Sequence, residues 1–277
     1  MATPTSFTPP SSADLLARWP LAIQFAREAG QHTLRYYQQP GVLPERKSDN
    51  SPVTIADREA ELLLRQRIEE AFPSDAILGE EYPPREGNSG FRWLLDPIDG
   101  TKSFISGVPL YGTMVGIEWS GRSVIGVVDF PALGECITAA LGQGAWLHKG
   151  SDAPTRVRVS DCPRLADGTF VTSQVSTFAA RGAKDAFEQL EKAAWVTRTW
   201  GDCYGYLLVA TGRAAVMVDP ILNIWDAAAV QPILEEAGGT FTDWQGNPTI
   251  HAGEALGTNG RVLAEVLAIT RAFPKQP

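Results

Sequence analysis

Cysteine is scarce: Cys136, Cys162 and Cys203 are the three in 277 residues, widely spaced and without a CxxC pair. That excludes a disulfide framework and fits a reducing cytoplasm. Histidine is equally thin, with His32, His148 and His251 dispersed along the chain. Each reads as a surface or packing residue, and neither a GxSxG elbow nor a P-loop occurs. No apolar run reaches the roughly 18 residues of a membrane span, and the start, MATPTSFTPPSSAD, lacks a basic-then-apolar leader pattern. Basic blocks are missing too. With 32 acids against 24 Lys and Arg, the formal net charge is −8, which argues against a nucleic-acid or anionic-membrane surface. An anionic small substrate stays open, because a bound cation can reverse the local sign.

What is present is ordinary globular composition, 44% hydrophobic and 20% charged, at about two domains' length. Residues 1–12, rich in Ser, Thr and Pro, read as a loose tail. Residues 13–38 carry helical periodicity, with Pro20 a possible restart, and the polar stretch 39–53 with Lys47 and Asp49 reads as a mobile loop. Thr54-Ile-Ala-Asp57 opens a second helix as a capping-box variant that stops before Pro73. A short strand at 76–81 and a meander at 111–119, 123–130, 135–140 and 144–148 follow. Beyond a boundary near 150–160, strands at 156–160, 169–173, 195–199 and 214–219 alternate with helices at 182–193, 203–211, 224–237 and 260–272. Those features predict an α/β sandwich of two units, 13–152 and 153–277, the first sheet antiparallel and the second mixed.

The stretch Trp93-Leu-Leu-Asp-Pro-Ile-Asp-Gly-Thr-Lys-Ser-Phe104 stands out, because an apolar strand runs straight into two acids. Pro97 fixes its own φ and holds Asp96 extended; lacking an N–H, it is expected to end the strand's ladder and free the Ile98 carbonyl. Oxygen-only donors of this kind suit Mg²⁺ or Mn²⁺. Gly100 permits close backbone approach, and a helix starting at Thr101 would offer N–H groups to an anion. A solvated turn explains the same residues, since Asp-Pro and Asp-Gly are common turn formers. Two further places bear on the choice. Gly79-Glu80-Glu81 sets acids after a strand end, and Ile224-Trp225-Asp226 sets one in the first turn of an apolar helix, where a dipole-compensating cap is the plain reading.

Taken together, GEE at 79–81, WLLDPIDGTKSF at 93–104 and WDAAAV at 225–230 resemble the inositol monophosphatase-like family of Mg²⁺-dependent, lithium-sensitive phosphatases. The resemblance extends over nearly all residues after about 14, and it departs from the family pattern at Ser103, where Asn is usual. It implies a five-layered αβαβα sandwich and a homodimer. By the same likeness, Glu80, Asp96, Asp99, Asp226 and the Ile98 carbonyl hold two or three Mg²⁺, with Mn²⁺ an alternative. Asp57 and Thr101 orient and deprotonate the attacking water, while Asp99, Gly100, Thr101 and Lys102 meet the phosphate.

The segment GDCYGY at 201–206, with DGTKSF and SPVTIADREAE, is similar to the histidinol-phosphatase branch. There the ammonium and imidazole of histidinol phosphate would pair with Asp202 and Asp219. Asp202 is equally readable as a helix cap. The expected reaction is hydrolysis of a phosphate monoester by in-line attack of water, histidinol phosphate first and inositol 1-phosphate or a sugar phosphate second. A non-catalytic metal- or phosphate-binding regulator on the same scaffold is the reading from another class.

Overall fold

The computed structural model describes residues 7–41, 44–46 and 52–275, and within them the two sequence periodicities resolve into two sheets and three helical layers. The first half holds α1 (Ser12–Thr33), a two-residue ladder of β1 (Glu45–Arg46) with β2 (Pro52–Val53), α2 (Ile55–Ala71), β3 (Ala76–Gly79), β4 (Phe91–Asp99) and α3 (Thr101–Ile105). Then come β5 (Gly112–Trp119), β6 (Arg122–Phe130), β7 (Glu135–Ala140), β8 (Gly144–Lys149) and β9 (Thr155–Arg156). The second half holds β10 (Thr169–Val171), α4 (Ser176–Ala180), α5 (Lys184–Ala193), β11 (Val196–Arg198), α6 (Asp202–Ala210) and β12 (Val216–Asp219). It closes with α7 (Ile224–Glu236), β13 (Thr240–Thr242), β14 (Ala255–Thr258) and α8 (Leu263–Thr270).

The first sheet runs β3 to β9 in chain order, antiparallel except for the parallel pair β3–β4. The second is mixed, in the order β11-β10-β12-β14-β13, with β10 parallel to both its neighbours. Neighbouring residues of β4 explain the layering. Trp93 and Leu95 pack outwards with Phe25, Leu64 and Ile68 of α1 and α2, whereas Leu94 packs inwards with Leu207, Ala228 and Ile233 of α6 and α7. Both faces of the strand are buried, so its sequence is continuously apolar rather than alternating. On the far side of the second sheet, Phe178, Leu190 and Val266 of α4, α5 and α8 cover Phe170, Val216 and Val218. The result is the five-layered αβαβα sandwich.

Several expectations need correction. α1 ends at Thr33 rather than residue 38, and Gln38 adopts a left-handed backbone with φ 57° that a helix interior excludes. The strand expected at 156–160 shrinks to β9 and extends the first sheet; Val159 N–H then turns to the Ala237 carbonyl. The helix expected at 182–193 starts at Lys184, and a separate helix that was not expected, α4, precedes it, with Gly182 at φ 79° between the two. β13 and β14 were not foreseen, being three or four residues each and flanked by glycines. Of the stretch 1–12, residues 7–12 are docked, since Trp119 Nε1 donates to Thr8 O at 3.0 Å and Ser11 caps α1. Residues 1–6, Lys47 and Asp49 lie outside the described residues.

Central to the architecture is α7, which touches β4 to β8 on one side and β13 and β14 on the other. Its interior Pro232 cannot donate to the Ala228 carbonyl; the Ser123 hydroxyl of β6 donates to that oxygen instead. Close seating needs the glycines of the sheet. A Cβ on Gly126 would fall 1.9 Å from the Ala229 carbonyl oxygen, and one on Gly116 2.5 Å from the Ala228 Cβ. Gly126→Ala is therefore expected to destabilise the fold by about 2–3 kcal/mol through overpacking, read as a lower denaturant midpoint. A midpoint equal to wild type would show that α7 can shift freely.

Candidate active site

Asp96 and Asp99 are three positions apart, so a regular strand would point them to opposite faces. The structure removes that obstacle with a bulge. Asp96 pairs with Met114 and Asp99 with Gly112, three residues of β4 spanning two of β5, which returns both acids to one face. Pro97 sits in the bulge, where its missing N–H breaks no ladder bond, and its carbonyl accepts from Thr113 Oγ1 at 2.8 Å. β4 thus continues through Pro97 to Asp99 instead of ending there, correcting the expectation. The Ile98 carbonyl is not free, for Thr101 Oγ1 donates to it at 3.1 Å, and Ile98 N–H donates to Asp96 Oδ1 at 3.0 Å. Ile98 nonetheless lines the cleft, and a carbonyl oxygen can accept more than one partner.

Carboxylate oxygens of Asp96, Asp99 and Asp226 lie within 4.8 Å of one another. Glu80, fixed by its N–H donating to Leu95 O at 3.2 Å, lines the same cleft of about 220 Å³, together with Ile98, Gly100, Thr101 and Lys102. Burial first, and then the neighbouring negative charges, push Asp96 and Asp99 well above the usual carboxylate range. Asp226 is pushed up to about 7, again chiefly by burial, and it hydrogen-bonds Asp96. Four acids facing one small cleft at such electrostatic cost are a donor set that a hard divalent cation satisfies.

Two of the acids share a local device. Asp57 Oδ2 accepts from Thr54 N–H at 2.8 Å, and Asp226 Oδ2 accepts from Asn223 N–H at 2.7 Å. Each is the third residue of a helix whose first turn it caps, so the plain reading of both residues holds alongside any chemical one. Asp57 is buried, and its pKa rises to about 6, mainly through burial. It does not line the cleft; Glu80 is its neighbouring charge.

A second pocket, of about 410 Å³, shares Asp99, Lys102, Asp202 and Asp226 with the first. It lies at the C-terminal ends of β10, β11 and β12, where ligands of open α/β sheets bind. Asp202 and Asp219 both line it. Asp202 is not a side-chain cap of α6; it starts the helix with φ 52°, and Gly201 takes the cap position. Asp219 accepts from Ser173 Oγ at 2.8 Å and from Tyr206 Oη at 2.9 Å. Lys102, exposed at the rim, donates to Gln174 Oε1, and Ser103 stands in the wall.

Reading the sequence missed Ser173, Gln174 and Thr199, which reach the pocket only because three strand ends align. It also missed Glu61, whose carboxylate accepts from Glu81 N–H at 2.7 Å and from Arg65 Nε at 2.7 Å. Glu61 occupies the space a side chain at Gly79 would need, and so shapes the turn that presents Glu80. The i, i+4 spacing of Glu61 and Arg65 was the available signal.

The family model for the inositol monophosphatase family matches residues 18–274. The chain belongs to that family. Among inositol monophosphatase relatives, a histidinol-phosphatase from Chlorobaculum parvum is 45% identical over 236 residues, covering 85% of this chain and 89% of its own. One from Streptomyces coelicolor is 37% identical over 251 residues, covering 89% and 94%. An inositol monophosphatase structure from Zymomonas mobilis superposes with a TM-score of 0.81 at 29% identity, covering 95% of this chain and all of its own, at 100%.

Proposed function

We propose that this phosphatase hydrolyses L-histidinol phosphate to L-histidinol and inorganic phosphate, with Mg²⁺ held by Glu80, Asp96, Asp99, Asp226 and the Ile98 carbonyl. These donors would suffice for two or three ions, and Mn²⁺ would substitute for Mg²⁺. When bound, the ions supply Lewis acidity to the phosphoryl group and a more acidic water. Asp57, raised to about 6 and anchored by Thr54, stands behind the cleft beside Glu80 and would act as proton acceptor from there. The Thr101 hydroxyl, which donates to the Ile98 carbonyl, would help to orient the attacking water. N–H groups at Gly100 and Thr101 meet the phosphoryl oxygens. Lys102 adds positive charge at the rim.

The observation that carries the substrate is the acid-lined 410 Å³ pocket opening directly off the carboxylate cluster. Asp202 and Asp219 there suit a leaving group bearing an ammonium and an imidazole, whereas an inositol ring brings no cation to offset them. Relatives named histidinol-phosphatase support the same choice. The reading extends to lithium inhibition and to a cytoplasmic homodimer. We expect kcat/KM for L-histidinol phosphate to exceed that for inositol 1-phosphate by about tenfold or more, and Asp202→Ala to erode that preference. Equal or reversed constants in wild type would favour the broader inositol or sugar-phosphate reading.

A further inference from the structure

Resting on the substrate reading above, we infer that Ser173 is a positioning residue that sets selectivity by holding Asp202 and Asp219 as one acceptor pair. Ser173 follows β10, and its hydroxyl does two things at once. It accepts from Asp202 N–H at 2.8 Å and donates to Asp219 Oδ1 at 2.8 Å. Few side chains can serve as donor and acceptor through one atom, and a hydroxyl is the smallest.

What the hydroxyl holds is an unusual backbone. Asp202 sits at φ 52°, in the left-handed region that side chains other than glycine seldom occupy without a compensating contact. That conformation sends its carboxylate across to the first half of the molecule, where an oxygen lies 3.1 Å from where a Cβ on Gly100 would stand. The segment itself has no slack. A Cβ on Gly201 would lie 2.2 Å from the Ser173 Cα, so the end of β10 and the start of α6 are locked together. The next N–H along, that of Cys203, donates to Asp99 Oδ2. On the other side, Asp219 is completed by Tyr206 at 2.9 Å, with Trp244 Nε1 donating to its carbonyl at 3.2 Å.

One chain of contacts therefore runs from Asp219 through Ser173 to Asp202, and on through the Cys203 amide to Asp99. Removing the hydroxyl orphans the Asp202 N–H, takes a donor from Asp219, and frees Asp202 to relax towards right-handed backbone. The carboxylate then leaves the pocket wall. Substrates with a cationic leaving group lose most, because they alone use both acids.

The test combines kinetics with a crystal structure of Ser173→Ala. The ratio of kcat/KM for L-histidinol phosphate to that for p-nitrophenyl phosphate is expected to fall about tenfold, mainly through the histidinol phosphate KM, as for loss of one charge-assisted hydrogen bond. Ser173→Thr, which keeps the hydroxyl, restores most of the ratio. In the crystal, Asp202 is expected to leave the left-handed region. A ratio within twofold of wild type, an equal loss on both substrates, or an unmoved Asp202 backbone overturns the inference. If wild type shows no preference for histidinol phosphate, the substrate reading fails, and the Asp202 backbone in the variant still decides the positioning. Should Ser173→Ala not fold, Ser173→Cys, of similar volume but a weak donor, is read the same way.

Discussion

Replacing Asp96 by asparagine is expected to cut kcat/KM for any phosphate monoester by about a thousandfold in saturating Mg²⁺. Asp96 is the most enclosed acid of the cluster, 2% exposed, with Asp99, Asp226 and Glu80 as neighbouring charges. Asparagine fills the same space but removes the charge that offsets a divalent ion. The same change should stabilise the metal-free protein, because it removes one of several buried negative charges that repel one another. In EDTA above pH 7, Tm is expected to rise by roughly 2–6 °C. The two signs together exclude misfolding as the cause, since an unfolding variant would lose both activity and Tm. Near-wild-type turnover by Asp96→Asn would refute the proposed ion site.

Metal removal should also invert the usual pH dependence of stability. Burial lifts Asp57 to about 6, and Asp219 and Asp226 to about 7, from an ordinary value of 3.8. Between those limits the folded chain holds protons that the unfolded chain has released. Stability then falls as pH rises: these groups cost nothing below about pH 4, and their full penalty is present above about pH 7. Asp75, lowered by its Arg18, Ser89 and Trp93 partners against the opposing effect of burial, works in the opposite sense, but below this window. Mg²⁺ held as proposed by the ionised carboxylates would counter the penalty where it is largest. At a hundred times its Kd it adds about 2.7 kcal/mol, or roughly 5–11 °C in Tm. Calorimetry in EDTA and in Mg²⁺ from pH 5 to 8 should show the two curves diverging towards alkaline pH. A metal-free Tm that climbs throughout that range, or no Mg²⁺ response at pH 8, would contradict this account.

Four acids in and behind the cleft were legible because each of them is fastened by a local rule. Asp57 lies three residues after a Thr cap, Asp226 three after Asn223, and Asp96 and Asp99 flank a strand-borne proline. Their common facing was not legible. Three-residue spacing argues against it, and only the bulge opposite Met114 and Gly112 reconciles the two. Likewise, nothing near Ser173 in the sequence announces that it will stand between Asp202 and Asp219, 29 and 46 positions away, because that depends on parallel strand ends lining up. The large elements followed from periodicity, whereas β13, β14 and the end of β9 were too short to carry a period. Tertiary pairing alone defines them.

The placement of α7 between the sheets has a consequence for how the protein comes into being. A chain that has completed only its first seven strands already owns Glu80, Asp96 and Asp99, but Asp226 arrives on a helix clasped from both sides. On the proposed ligand set, a partly assembled molecule would therefore hold a divalent cation feebly, and full grip would come at the moment the second half docks. Ion capture during refolding would serve as a clock for that last event.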